Sequence, residues 1–225
     1  MSTTPQPTAV IASGAGRYAD PWHPFPDTSP LIADVLEDAG FTVRIDDDID
    51  GAMTRLDGVD LIVVNAGDPW RDAEPVQVAQ GSLDGFAAAI DRGIGILAFH
   101  CATATLRDYP DWAAAVGAMW VPSLSMHPDA GVTTIRGGAL PDGTPIDDFE
   151  LFDERYCRLQ QIGRRHIVAR HDGADDAPAA EPTAWVREYG AARVAVDVLG
   201  HDVRSYESPG HRALIAALAG WVTTR

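Results

Sequence analysis

Lysine is absent from this sequence. All 17 basic residues are arginine, and 33 acidic residues give the 225-residue chain a formal net charge of −16. Without lysine the chain can form neither a Schiff base nor the phosphate contact of a Walker A loop. Because the excess carboxylates repel phosphate groups, we expect no binding to nucleic acid and none to an anionic membrane surface.

Cysteine and long apolar runs are also scarce. The two cysteines, Cys101 and Cys157, do not suggest a disulfide framework, and reduced thiols fit a cytoplasmic protein. No apolar run approaches the roughly 20 residues that cross a bilayer. The first seven residues lack the basic and apolar regions of a signal peptide. We therefore predict a disordered tail over residues 1–8 and a single domain over residues 9–225.

Several catalytic motifs are missing as well. The sequence contains no HExxH, CxxC, GxSxG or GxGxxG pattern. Gly14 and Gly16 form a fragment of a glycine-rich loop that lacks its third glycine and soon reaches three prolines. We therefore expect no nucleotide cofactor.

What the first half does contain is an alternation of short apolar runs and helical patterns. Strands are predicted over residues 9–13, 41–45, 59–65 and 94–100, and helices over 30–39, 48–56 and 82–92. Ser29 is the predicted N-cap of the first helix and Pro30 its first residue. This alternation predicts an α/β fold with a parallel sheet covered on both faces, the alternative being a mixed α+β domain.

The second half is less regular. Strands are predicted over residues 132–136, 149–152, 165–170, 183–188 and 193–199, and a closing helix over 209–223. The polar segment 172–182 is predicted to be a loop open to proteolysis.

Ligands of open parallel sheets bind beyond the carboxyl ends of the strands, so polar residues at those positions are the candidates for function. His100 ends the fourth apolar run and precedes small residues that permit a tight turn into a helix. Its side chain would then lie at the carboxyl edge of the sheet, where it could serve a functional site. The alternative is a structural histidine that only hydrogen-bonds to a loop. Cys101 follows directly, where a helix N-terminus could activate a nucleophile, so a cysteine hydrolase is a rival interpretation.

Other candidates follow other strands. His23 and Trp22 lie in a rigid, proline-rich loop after the first strand, and Asn65 ends the third. Each could line a ligand site or serve the packing of its own loop.

The second half adds His201, just past a strand, and His127, in a Met-His-Pro-Asp loop. Glu154 and Tyr156 follow the strand at 149–152 and offer a base and a hydroxyl donor, although a solvated loop with a local ion pair explains them equally well.

Taken in order, these segments resemble the ThuA-like family, the trehalose-utilisation proteins with a class I glutamine-amidotransferase-like fold. The matching segments are 9–23, 31–43, 95–103, 126–128, 152–156, 182–194, 199–201 and the final helix with Trp221. The resemblance implies a flavodoxin-like three-layer sandwich with a mostly parallel central sheet. It also implies that His100 occupies the elbow at which amidotransferases carry a catalytic cysteine. Cys101 comes one residue later and is aimed elsewhere, so glutaminase activity is not expected.

The resemblance further implies a role in carbohydrate metabolism, with keto-sugars the favoured ligands. Two chemistries fit: proton transfer beside a carbonyl, or a divalent metal such as Zn or Mn that polarises it. The implied catalytic residues are His100, Glu154 and His201, and the implied metal ligands are His23, His100 and His201, with Glu154 able to join them. The implied substrate-binding residues are Trp22, His23, Asn65, His127 and Tyr156, with Trp70 and Trp120 as further aromatic surfaces.

Three functions stay open at this point. The first is an isomerase- or lyase-type enzyme acting on a sugar or keto-sugar. The second is a sugar- or metal-binding accessory module without turnover, and the third is a hydrolase or amidotransferase that uses Cys101. A homodimer is expected from the base rate of oligomers.

Overall fold

The computed structural model describes residues 5–71, 77–173 and 179–224. Its first half contains strands β1 (Thr8–Ser13), β2 (Thr42–Asp46), β3 (Leu61–Asn65) and β4 (Gly95–Phe99) and helices α1 (Phe25–Asp38), α2 (Ile49–Met53) and α3 (Gln80–Arg92). The second half contains helices α4 (Trp112–Val116) and α5 (Pro209–Thr223) and strands β5 (Ala118–Met119), β6 (Gly131–Gly137), β7 (Phe149–Asp153), β8 (Gln160–Gln161), β9 (His166–His171), β10 (Pro182–Tyr189) and β11 (Ala192–Asp197).

One large sheet organises these elements. In the described part of the chain it has nine strands in the order β2-β1-β3-β4-β11-β10-β9-β6-β7. Strands β2, β1, β3, β4 and β11 are mutually parallel, whereas β10, β9, β6 and β7 continue the sheet through antiparallel pairs. Strands β9 and β7 therefore point the same way as the parallel set, and the sheet is mostly parallel, as predicted.

Two apolar cores lie on opposite faces of this sheet. Successive residues of the buried strands alternate between them: Val10 and Ala12 belong to the core with α2, α3 and α4, and Ala9 and Ile11 to the core with α1 and α5. This continuous burial is the reason that the central strands read as uninterrupted apolar runs. The expected three-layer α/β sandwich is confirmed.

Helix α1 differs from its prediction. It begins at Phe25, five residues before Pro30, and Pro30 lies inside it. Phe25 is buried, which draws the first turn into the core, and Pro26 occupies a position in that turn where a missing N–H costs little. Ser29 is therefore not the N-cap; its hydroxyl is buried and donates to Ser13 Oγ at 2.8 Å.

The end of β4 also differs. The strand stops at Phe99, and His100 opens a four-residue 3₁₀ turn, His100–Thr103, instead of a long helix. A single turn has little macrodipole, so the predicted helix N-terminus beside His100 and Cys101 is not formed. The short elements α4, β5 and β8 were not predicted, because runs of two to five residues carry too little periodicity.

Parts of the predicted tail and of the predicted loop 172–182 lie outside the residues that the structure describes. Strand β1 begins at Thr8, one residue before the predicted start, and residues 1–4 of the predicted tail lie outside the described residues. Of the predicted loop 172–182, residues 174–178 lie outside them too, and β10 begins at Pro182. Within the described ranges, no helix is long and apolar enough to cross a membrane.

Candidate functional site

His100 lies at a sharp bend between β4 and the turn that follows. Its φ of 44° is a left-handed value that a non-glycine residue adopts at a cost of about 1 kcal/mol or more. The ring is almost fully buried, and its Nδ1 lies 2.9 Å from the carbonyl oxygen of Val198. Because a carbonyl only accepts, Nδ1 carries a proton, and Nε2 is left to face Glu154 Oε2 at 3.4 Å.

His23 is fixed from the loop after β1 in a similar way. Its Nδ1 lies 2.8 Å from both carboxylate oxygens of Asp20, and Asp20 Oδ1 also accepts from the backbone N–H groups of Trp22 and His23. Burial lowers the pKa of His23, but its interaction with Cys101 and the hydrogen bond to Asp20 outweigh burial and raise this pKa to about 9. The ring centroids of His23 and His100 lie 4.9 Å apart.

Asp153 joins two further loops to this position. Its carboxylate accepts from the backbone N–H of Glu154 at 2.7 Å, of Gly200 at 2.7 Å and of His201 at 3.2 Å, and from Ser205 Oγ at 2.7 Å. These bonds hold the end of β7 against the segment after β11. As a result Glu154 and His201 face each other, with His201 Nδ1 at 3.5 Å from Glu154 Oε1.

Four side chains therefore converge at one point. One donor atom from each of His23, His100, Glu154 and His201 lies within 4.8 Å of all the others. The nitrogens His23 Nε2, His100 Nε2 and His201 Nδ1 are buried and make no hydrogen bond within the part of the chain described. Two donors each about 2.1 Å from one tetrahedral ion lie about 3.4 Å apart. The separations of 3.4 Å between Glu154 Oε2 and His100 Nε2 and of 3.5 Å between Glu154 Oε1 and His201 Nδ1 are close to that value.

The charges in this cluster are coupled. Burial alone would raise the pKa of Glu154, but the close approach of His100 and the charges of His100, His201 and His127 lower it instead. The pKa of His100 is raised, since the nearby carboxylates of Glu154 and Asp153 outweigh burial. Burial lowers the pKa of His201. Glu154 is thus an anion, as a metal ligand or a base must be.

A cavity of about 650 Å³ opens above the cluster. Trp120, Tyr156 and His127 form one wall, with ring centroids of Trp120 and Tyr156 4.7 Å apart. His127 Nδ1 lies 3.4 Å from Glu154 Oε1, and its side chain keeps 36% of its surface exposed. The rest of the lining includes Trp22, Trp70, Asp20, Asp68, Arg71 and Cys101. A volume of this size lies within the range of small-molecule sites.

Asn65 is the one predicted binding residue that does not line this cavity. Its amide nitrogen donates to Thr28 Oγ1 at 2.9 Å and to Ser29 Oγ at 3.0 Å, and its side chain is buried. Asn65 thereby ties the end of β3 to helix α1. Asn65 thus has a packing role, but towards helix α1 instead of towards its own loop.

Cys101 borders the cavity but lacks the features of an activated nucleophile. Its thiol is buried and donates to the carbonyl oxygen of Ala66 at 3.3 Å. Burial raises its pKa, and the opposing effect of His23 does not reverse the shift. A protonated thiol bound to a carbonyl is a poor nucleophile, which weakens the cysteine-hydrolase interpretation.

Sequence reasoning missed the residues that orient the ligands. Asp20 and the carbonyl of Val198 were not singled out, although each fixes a histidine of the cluster. Asp20 precedes His23 by three residues, a spacing at which a carboxylate can reach the ring. Nothing local in the sequence reveals the contact between Asp153 and the loop at Gly200, since 47 residues separate the two.

A comparison with protein-family models matches this chain over residues 12–222 to ThuA, described as trehalose utilisation. The chain belongs to the ThuA family. The predicted resemblance is thereby confirmed, and family membership supports a carbohydrate role related to trehalose utilisation. No match was found among curated proteins.

Solved structures similar to this ThuA protein have low sequence identity and show the fold alone. A ThuA-like protein from Parabacteroides merdae is 17% identical with a TM-score of 0.77, covering 98% of this chain and 91% of that one. A ThuA-like protein from Bacteroides uniformis is 14% identical with a TM-score of 0.66, covering 99% and 93%. A β-galactosidase from the haloarchaeon Halorubrum lacusprofundi is 16% identical with a TM-score of 0.59, covering 100% of this chain and 31% of its own.

Proposed function

We propose that this ThuA protein is a divalent-metal-dependent enzyme that moves a proton next to the carbonyl of a sugar or keto-sugar, in an isomerase- or lyase-type reaction. One observation carries the proposal. Three buried imidazole nitrogens without hydrogen bonds in the described ranges converge with the Glu154 carboxylate. Of these four residues, His23, Glu154 and His201 line an aromatic-walled cavity, and His100 lies behind them. Buried polar atoms are normally paired, so such a convergence calls for a shared partner.

The donor set narrows the choice of metal. Three imidazoles and one carboxylate suit Zn, Mn, Fe and similar transition ions better than Mg or Ca, which prefer oxygen ligands. The ligands would be His23, His100, His201 and Glu154. Bound there, the ion would supply Lewis-acid polarisation of a substrate carbonyl.

The remaining groups are arranged to bind the sugar and move its proton. His127 has one ring nitrogen beside Glu154 and a side chain that is partly open to the cavity, so we assign it the proton transfer. Tyr156 and Trp120 offer ring surfaces against which a sugar can pack.

The test starts with metal content. Wild-type protein purified without a histidine tag or chelator is compared with His100→Ala and with His166→Ala. His166 is a suitable control because it is exposed, lies at the start of β9 and bonds to the carbonyl oxygen of Ala139. We expect about one equivalent of a transition metal in the wild type and in the control, and a loss of most of it in His100→Ala.

A panel of keto-sugars then tests turnover. We expect product formation that chelators abolish and that the bound metal restores, and a His127→Asn rate lower by about 100-fold. Metal-free protein that still turns over a keto-sugar would favour His100 and Glu154 as a metal-free acid–base pair. Ligand binding without product across the panel would favour a sugar- or metal-binding accessory module.

A further inference from the structure

The mouth of the cavity contains two unusually exposed tryptophans. Trp22 is 63% exposed and Trp70 is 40% exposed, and both line the cavity that opens above the histidine cluster. By contrast, Trp112, Trp185 and Trp221 are buried. Exposing an indole costs free energy, so two such rings at one opening indicate a ligand that covers them.

Both rings make contacts that hold them in place, although each stays partly exposed. The backbone N–H of Trp70 donates to Asp68, and its Nε1 donates to Asp108 Oδ1 at 2.8 Å. The guanidinium of Arg71 lies 5.4 Å from the centre of the Trp22 ring. A ring fixed before binding loses little entropy when a ligand stacks on it, which is the property of a built binding surface.

The polar groups at this opening suit an uncharged ligand. Asp68 is bound by Arg107 at 2.8 and 2.9 Å, and Asp108 is paired with Arg17, so the nearby guanidinium groups of Arg107 and Arg17 are already neutralised. The chain as a whole carries a charge of −16. Arg71 also lines the opening, and its guanidinium donates to the carbonyl oxygen of Ala19 at 3.1 Å and lies over the Trp22 ring. The carboxylates at the opening accept from hydroxyl groups and repel a phosphate.

The size of the cavity argues for more than one ring. Its volume of about 650 Å³ is several times that of a hexose. One ring bound at Glu154 against the wall formed by Trp120 and Tyr156 leaves the region at Trp22 and Trp70 open.

We infer that Trp22 and Trp70 form an outer subsite for a second, unphosphorylated sugar ring, so that the protein takes glycosides of two or more units in preference to free monosaccharides. The inference rests on the proposed function for the inner ring, but it concerns the outer ring alone. Apolar faces of a pyranose would stack on the two indoles while its hydroxyls reach Asp68.

Titration calorimetry of the metal-containing protein as purified tests the inference, with glucose and the disaccharides trehalose, maltose and cellobiose as probes. We expect at least one disaccharide to bind about tenfold more tightly than glucose, as burial of further apolar ring surface predicts. Trp22→Ala and Trp70→Ala should bring the ratio of disaccharide affinity to glucose affinity close to one, with little change in the affinity for glucose. Trp22→Phe should retain most of the ratio, and Val132→Ala, an exposed apolar residue on β6, should retain all of it.

Any of three results would overturn the outer subsite. The first is equal affinity for glucose and for every disaccharide, and the second is no binding of any disaccharide. The third is that the tryptophan variants lose affinity for glucose and for the disaccharide by the same factor. Failure of the proposed function is read separately. It would appear as missing metal or missing keto-sugar turnover, and neither depends on the affinity ratio.

Discussion

At the scale of single residues, the site is defined by which ring nitrogen each histidine presents. His100 Nδ1–H donates a hydrogen bond to the carbonyl oxygen of Val198, and His23 Nδ1 bonds to Asp20. Both rings therefore present Nε2 to the centre of the cluster. A carbonyl or carboxylate behind an imidazole fixes its tautomer and ring plane and strengthens it as a ligand. The second contact is therefore as much part of the site as the ligand itself.

This argument predicts that Asp20→Ala weakens metal binding although Asp20 need not touch the metal. We expect a loss of affinity of about 10–100-fold, the usual effect of removing such a partner. Competition with a chromophoric chelator measures it, and Asp142→Ala, an exposed carboxylate in a distant turn, is the control. If Asp20→Ala binds metal as tightly as the control, the carboxylate has no role in presenting His23.

At the scale of elements, the site is made by loops that follow β1, β4, β7 and β11. The sheet brings the ends of β4 and β11 together because these strands are adjacent and parallel. The end of β7 is four strands removed from β11 in the sheet order, and Asp153 bridges that distance through its bonds to Gly200, His201 and Ser205.

We therefore predict that Asp153→Asn lowers metal content by more than its effect on the free energy of unfolding explains. An amide cannot accept from all four donors, and an unpaired buried donor costs about 1–3 kcal/mol of stability. Metal content should fall further than in Leu218→Ala, a variant in the core of α5 whose expected cost is about 2–5 kcal/mol. Denaturant unfolding and metal analysis on both variants check this. Equal metal loss at equal destabilisation would mean that Asp153 acts only through overall stability.

At the scale of the whole molecule, the sequence was informative wherever the pattern was local. Continuous apolar runs predicted the buried parallel strands. The third predicted helix ends at residue 92 as predicted, where Gly93 follows in a left-handed conformation. Four polar positions after strands also proved to be neighbours: His23, His100, Glu154 and His201.

What could not be predicted depends on contacts between distant segments. The start of α1 follows from burial of Phe25, and the inward orientation of Asn65 follows from its bonds to Thr28 and Ser29. Neither leaves a periodic pattern in the sequence. The same holds for Asp153, whose partners lie in another loop.

Helix α5 is joined to the sheet by a fully buried ion pair, which predicts how global stability varies with pH. His211 Nε2 lies 2.9 Å from Asp197 Oδ2 at the end of β11, and Nδ1 lies 2.9 Å from the carbonyl oxygen of Ser205. Burial lowers the pKa of His211, but the charge of Asp197 and the hydrogen bond to it outweigh burial and raise this pKa above its usual value.

The sign follows from proton uptake. Below the unfolded pKa of about 6.5, His211 is protonated in both states and the pair contributes fully. Above it the unfolded chain releases the proton while the folded chain keeps it, so stability falls by about 1.4 kcal/mol per pH unit until the folded pKa is reached.

The stability difference between wild type and His211→Gln should thus be largest near pH 6 and shrink towards pH 9, measured by urea unfolding. Arg212→Gln, which removes the neighbouring exposed pair with Asp38, should differ from wild type by a constant amount over this range. A difference for His211→Gln that is equally constant would show that His211 is buried neutral and that its bond to Asp197 is an ordinary hydrogen bond.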